Sequence, residues 1–345
     1  MPYTTIKKPS DYFNTVLYTG NSSTQSITGV NFQPDLAWIK RRSSIQYHGI
    51  YDSVRGATKV LASNATDAET THDGLTSFDS DGYTLGNIGR TNTSGETYVG
   101  WNWLGANGTA SNTDGSITST VSANTTSGFS IVSYTGTGSN ATVGHGLGVA
   151  PSMVIVKLRS STGNWQVYHQ TLGNTKAIPL NTTDTPVTDS GFWNNTSPTS
   201  SVFSLGTGYA DNTNSNGGTY IAYCFAEKQG FSKFGSYTGN GSTDGTFIYT
   251  GFKPAFVLTK ASSDLKDWVL LDNKRDNFNL MNKKLFSNNS DAEYSGQNAC
   301  DFLSNGFKLR DNATNAFAIN DSGRTHIYMA FADEPLVGDN PATAR

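Results

Sequence analysis

The chain has 345 residues, a formal net charge of −3 and only 15% charged residues, set against 36 glycines and 12% aromatic residues. No Lys/Arg stripe exists to neutralise phosphates, so a nucleic-acid binder is excluded; the densest basic cluster, Lys40-Arg41-Arg42, reads as a solvated strand end. No apolar run approaches the roughly 18 residues of a membrane-spanning helix, and the N-terminus carries no secretion signal, so no membrane insertion is expected.

In chain order, residues 1–11 contain Pro2 and Pro9 without apolar periodicity and predict an extended arm. A stretch of about 100 residues is then written three times. Its opening is Leu17-Tyr18-Thr19-Gly20, then Ser133-Tyr134-Thr135-Gly136, then Ser236-Tyr237-Thr238-Gly239. Each opening leads to a proline and an apolar run ending in lysine six residues later: Pro34 to Lys40, Pro151 to Lys157 and Pro254 to Lys260. The copies span residues 12–104, 128–229 and 230–334. Residues 105–127 are a linker by composition, rich in Gly, Ser, Thr and Asn, although the alternation of Ser116 to Val121 allows part of it to add a strand. Residues 335–345 predict a coil tail.

Within a copy, runs of four to eight residues rich in Val, Ile, Tyr, Phe and Trp alternate with Gly, Asn and Asp turns, the signal of strands. Asp79-Ser80-Asp81-Gly82 and Ser304-Asn305-Gly306 predict hairpin turns with residues at positive φ. The last strand of each copy keeps one apolar face: Val99, Trp101, Trp103; Ile221, Tyr223, Phe225; Ile327, Met329, Phe331. That face predicts the inside of a sandwich. Helical turns are expected only near Thr66–Thr71 and Asp276–Lys284. The fold class expected is all-β, as three tandem antiparallel sandwiches of jelly-roll or lectin-like type.

A second set of positions keeps register. His48, Trp165 and Trp268 lie eight residues past each lysine, and Asp52, His169 and Asp272 lie twelve past it. Even spacing places them on one strand face. A ring and a polar group together could hold a sugar; equally, the ring packs and the Asp or His accepts backbone donors. The Asp-to-His change in the second copy favours packing. Asp79-x-Asp81-Gly82 lacks the rest of a calcium loop and reads as a turn. Gly144-His145-Gly146-Leu147-Gly148 precedes a strand rather than a helix and also reads as a turn. Nucleophile and zinc-hydrolase motifs are absent, so no catalytic residue, metal ligand or cofactor is expected. Cys224 and Cys300 form no disulfide framework and are expected as free thiols.

Several signatures taken together carry a resemblance: Tyr-Thr-Gly-Asn-Gly-Ser, Phe78 to Gly86, Gly217 to Phe225, and Asn112 to Ile117 leading to Gly128 to Val132. From about Tyr12 onward they resemble a repeated domain of unknown function in virion proteins of marine tailed bacteriophages. The ending Pro341 to Arg345 resembles the way such chains end. The resemblance implies a virion structural protein, tail-fibre-like, with lectin-like β-sandwich units. It implies assembly in the host cytoplasm, with other tail or capsid proteins and a host surface polysaccharide as partners. A homo-oligomer, in a fibre a trimer, is the expected form, although no heptads support it. The alternative is a capsid or tail decoration protein without a ligand, and a remote one is a glycan-degrading enzyme.

Overall fold

Strand order follows from where the apolar runs and their turns fall. In the computed structural model, which describes residues 4–207 and 213–335, the chain is all-β. Three antiparallel sheets share one strand order. The first is Phe13–Thr19, Thr97–Trp103, Leu36–Arg41, Gly49–Asp52. The second contains Phe129–Thr135, Thr219–Phe225, Met153–Leu158, Gln166–His169, and the third Ser232–Thr238, Thr325–Pro335, Phe252–Ala261, Trp268–Asp272. Smaller sheets lie apart from these, among them Gln25–Ile27 with Gly82–Leu85 and Ser77–Asp79, Ala141–Gly144 with Val202–Leu205, and Phe247–Tyr249 with Gly306–Leu309 and Cys300–Leu303.

The apolar face of the last strands does not line the inside of separate sandwiches. Val99, Trp101, Trp103, Ile221, Tyr223, Phe225, Ile327, Met329 and Phe331 all enter one core shared by the three segments. The opposite faces, with Tyr98, with Tyr220 and Cys224, and with Tyr328 and Ala330, pack into three separate cores. A strand buried on both sides has two apolar faces, so alternation cannot say which one meets which partner. At the middle of the shared core three residues in matching register meet. The ring of Trp103 lies 6.2 Å from Phe225 and 5.7 Å from Phe331, and Phe225 lies 6.0 Å from Phe331. Edge-to-face pairs of this kind add about 0.5–1.5 kcal/mol beyond the area they bury.

The Tyr-Thr-Gly signature has a local cause. The tyrosine hydroxyl donates to a distant carbonyl each time: Tyr18 to Thr91 (2.8 Å), Tyr134 to Thr213 (2.6 Å), Tyr237 to Ile319 (2.9 Å). A Cβ on the following Gly20, Gly136 or Gly239 would sit 2.3, 2.4 or 2.3 Å from a backbone oxygen, so only glycine fits.

Other expectations need revision. The N-terminal arm is not simply extended: Pro9–Asp11 is a 3-10 turn, and Ile6 is buried in the shared core; residues 1–3 lie outside the described residues. The linker is structured. Ser119–Asn124 pairs with Phe129–Thr135, and the amides of Gly105 and Asn107 donate to the Asp35 carboxylate at 2.8 and 3.0 Å. Asn and Ser side chains supply local partners that composition counts as linker character. Neither predicted helical turn forms; Thr70–Thr71 is a short strand, and among the described residues the α-helical turns are Gly89–Asn92 and Ser190–Trp193. Both hairpins are present, with Asp79 opposite Gly82 and Leu303 opposite Gly306. In the first, positive φ falls on Gly82 (114°); in the second the expectation fails, since neither Asn305 nor Gly306 has positive φ. The tail from residue 336 lies outside the described residues.

Candidate functional site

The lysines that end the apolar runs are fully buried, and each reaches into another segment. The ammonium of Lys40 donates to Arg41 O (2.8 Å) and Ser290 O (3.3 Å). Lys157 donates to Leu158 O (2.7 Å) and Thr66 O (3.1 Å), and Lys260 to Ala261 O (2.7 Å) and Thr183 O (3.2 Å). Burial pulls Lys157 and Lys260 down to about 8; burial, then the neighbouring Arg41 charge, pulls Lys40 to about 7.

The ring positions repeat the same cyclic pattern. Trp165 Nε1 donates to Ala62 O and Trp268 Nε1 to Pro179 O, both at 2.8 Å. His48 replaces tryptophan in the first segment. Its Nδ1 accepts from Trp38 Nε1 at 2.8 Å, so Nε2 carries the proton and donates to Phe286 O at 2.8 Å. Burial, then Lys40, holds His48 well below the usual imidazole range, which keeps this neutral tautomer. All three rings are at most 1% exposed, leaving no face on which a sugar could stack.

Asp52, His169 and Asp272 are equally buried and also face other segments. Asp52 holds the guanidinium of Arg55 and accepts from Tyr223 OH at 2.7 Å. Arg55 passes on to Glu69 (3.2 Å), and Glu69 takes Arg159 in a two-pronged pair at 2.9 and 3.0 Å. Asp272 repeats this with Arg275, Trp101 Nε1 (3.0 Å), Glu293 (3.2 Å from Arg275) and Arg42 (2.9 and 2.8 Å from Glu293). His169 has none of it. Leu172 stands at the arginine position, Met329 replaces Tyr223 or Trp101, and Ser262 replaces Arg159 or Arg42. Its Nε2 pairs instead with Tyr328 O at 3.1 Å, and burial lowers it to about 4.

One recurrent group escaped the sequence reading. Buried Asn92, Asn214 and Asn320 each accept from the loop after Tyr-Thr-Gly, from Asn21 N (2.8 Å), Thr137 N (2.9 Å) and Asn240 N (3.0 Å). Each also donates to a serine carbonyl in that loop, of Ser23, Ser139 or Ser242. The available signal was spacing: each asparagine lies six residues before Tyr98, Tyr220 or His326.

The remaining candidates are structural as well. Asp81 accepts from Gly29 N (3.0 Å) and Asn31 N (2.6 Å), and among the described residues no cluster of His, Cys, Asp and Glu is arranged to hold a metal ion. His145 accepts from Leu147 N within its turn and pairs with the distant Thr199 O, both at 3.2 Å. Cys224 and Cys300 are free, buried thiols.

Exposed rings are few. Among the described residues Tyr47, Phe247, Tyr249 and Phe278 are exposed, and Phe278, at 76%, is the most open. It borders a cleft of about 500 Å³ whose lining includes Asn273, Lys274, Asn279, Phe302 and the ion pair Lys253–Asp333 (3.0 Å).

A family model described as "Domain of unknown function (DUF7483)" matches residues 8–335. No curated protein matches the chain.

Proposed function

Starting from a chain that belongs to the DUF7483 family of unknown function, we propose a structural protein of a bacteriophage virion, a fibre- or spike-type adhesin that recognises host surface glycans. In this reading the three segments are tandem lectin-like β-sandwich repeats fused through a common core. One observation supports it above others: the polar residues that keep register across the segments are spent on hydrogen bonds between segments. That is the chemistry of a rigid support. The aromatic centre is closed within one chain, so contacts with other virion proteins or with further copies use the outer surface.

The test is adsorption. Purified protein should bind host cells and, added in excess, should slow attachment of the phage. Antibody labelling should place it at the tail tip or on a projecting fibre. No cell binding, together with labelling spread over the capsid, would leave the decoration role instead.

A further inference from the structure

We propose that the cleft beside Phe278 is a saccharide-binding site for a neutral hexopyranose unit. The inference rests on the adhesin reading and names its site.

The site is an elaboration of the third segment. From Arg55 to Leu61, and from Leu172 to Ile178, the chain takes six residues between matching positions. From Arg275 to Leu285 it takes ten, and the four extra residues fall in the stretch that carries Phe278, Asn279 and Leu280. Leu61, Ile178 and Leu285 match because they pair with Ile50, Val167 and Leu270, ten residues past the respective lysines.

The loop is braced at its base while its ring stays in water. The Asn279 amide donates to Phe302 O and accepts from Phe302 N, both at 2.9 Å. Asp276 accepts from Asn282 N (2.8 Å) and Lys283 N (2.7 Å), and Met281 N bonds Cys300 O at 2.8 Å. A fixed backbone holding an apolar ring in solvent carries the hydration cost of that ring without relief from its own chain. A ligand that covers it meets a platform whose ordering cost has already been met in folding.

The lining chemistry selects the ligand. Phe278 offers a flat apolar face that the C–H side of a pyranose can cover. Asn273, half-buried, lines the same cleft with a carboxamide, a group of the kind that pairs with sugar hydroxyls. The cleft is nearly balanced in charge: Lys253 is paired with Asp333, Asp276 is held by two backbone amides, and Lys274 projects into solvent. That balance favours a neutral sugar over an acidic one. A volume of about 500 Å³ falls within the range of small-ligand sites, roughly 300–1,000 Å³.

The experiment titrates the full chain with hexasaccharides of glucose, galactose and mannose, and with an oligouronate, by calorimetry and saturation-transfer NMR. At least one neutral probe should bind, with little change between about 0.05 and 0.5 M salt. Phe278→Ala should weaken it about tenfold at an unchanged melting temperature, and Phe278→Trp should retain it. Equal binding by wild type and Phe278→Ala would overturn this site while leaving the adhesin reading intact. Binding of the oligouronate alone would overturn the neutral-sugar assignment. Failure of the wild-type chain to bind any probe would overturn the site; the adhesin reading is then judged separately by adsorption to cells.

Discussion

Two of the three junctions between segments are held by buried charge, and the third is not. The first meets the second through Asp52, Arg55, Glu69 and Arg159, and the third meets the first through Asp272, Arg275, Glu293 and Arg42. Between the second and third, four of the matching positions have changed together, to His169, Leu172, Met329 and Ser262. No buried ion pair crosses that junction among the described residues; Lys233–Glu227 lies half-exposed where one segment runs into the next. Yet the uncharged part of the pattern persists there, with Trp268 on Pro179 O, Lys260 on Thr183 O and Gln170 Nε2 on Phe234 O (2.8 Å). The difference teaches that the charged network is a unit. A buried arginine without its carboxylate is costly, so the members disappear as a set rather than singly. What every junction needs is the tryptophan or histidine donor and the lysine, which satisfy carbonyls at the segment ends.

The sharpest way to break the comparison is to remove one carboxylate. Asp272→Ala takes from the fully buried Arg275 guanidinium its nearest carboxylate, leaving it only Glu293 at 3.2 Å and Leu270 O, and strips Trp101 Nε1 of its acceptor. We expect a loss of about 3–5 kcal/mol in chemical denaturation. His169→Ala at the matching position forfeits the bond to Tyr328 O and the Nδ1 contacts with Thr171, neutral hydrogen bonds together worth about 1–2 kcal/mol. Equal losses from the two would show that the charged network contributes nothing distinctive.

The reverse experiment asks whether the uncharged junction accepts charge. His169→Asp buries a carboxylate where the matching side chains are Leu172 and Met329, neither of which carries a donor. A cost on the order of 3 kcal/mol is expected, in part because the new group holds its proton. Adding Leu172→Arg should recover part of that loss. If the double variant is no better than His169→Asp alone, the ion pair depends on the remaining partners as well.

How much of this was legible follows from the kind of signal each residue gives. Tyr-Thr-Gly, the Pro-to-Lys run and the last-strand alternation are local patterns, and they located the strands Phe13–Thr19, Leu36–Arg41 and Thr97–Trp103. The even spacing of His48 and Asp52 placed them on a strand, Gly49–Asp52 with His48 at its entry, but not what that strand faces. Their partners, Phe286 O and Tyr223 OH, are 238 and 171 residues away, and no spacing within one copy encodes such a contact. The shared core was hidden for a related reason: Trp103 and Phe331 look like residues of separate interiors until the chain closes on itself. Phe278 was hidden because its loop has no counterpart in the other copies to set it in relief.

The smallest effect concerns what the junctions have in common. Lys40, at about 7, and Lys157 and Lys260, at about 8, all lie below the roughly 10.4 of an unfolded lysine. Between those values the folded chain has released a proton that the unfolded chain still holds. Stability therefore rises with pH, the burial cost being complete below the folded pKa and relieved as pH climbs above it. From pH 8 to 9 each lysine should add on the order of 1 kcal/mol. Buried tyrosines such as Tyr237 work in the opposite sense near pH 10, and the buried thiols of Cys224 and Cys300, also raised by burial, do so from about pH 8.5, so the lysines are read from the difference between wild type and variant up to pH 9. Denaturation midpoints at pH 7, 8 and 9 should climb in the wild type, and climb less in Lys157→Met and Lys260→Met by similar amounts. Lys40→Met should already remove part of the rise between pH 7 and 8, because Arg41 brings Lys40 to its midpoint sooner. Parallel curves for all four proteins would mean that the carbonyls around each ammonium offset its burial, and that the lysines stay charged at all three junctions.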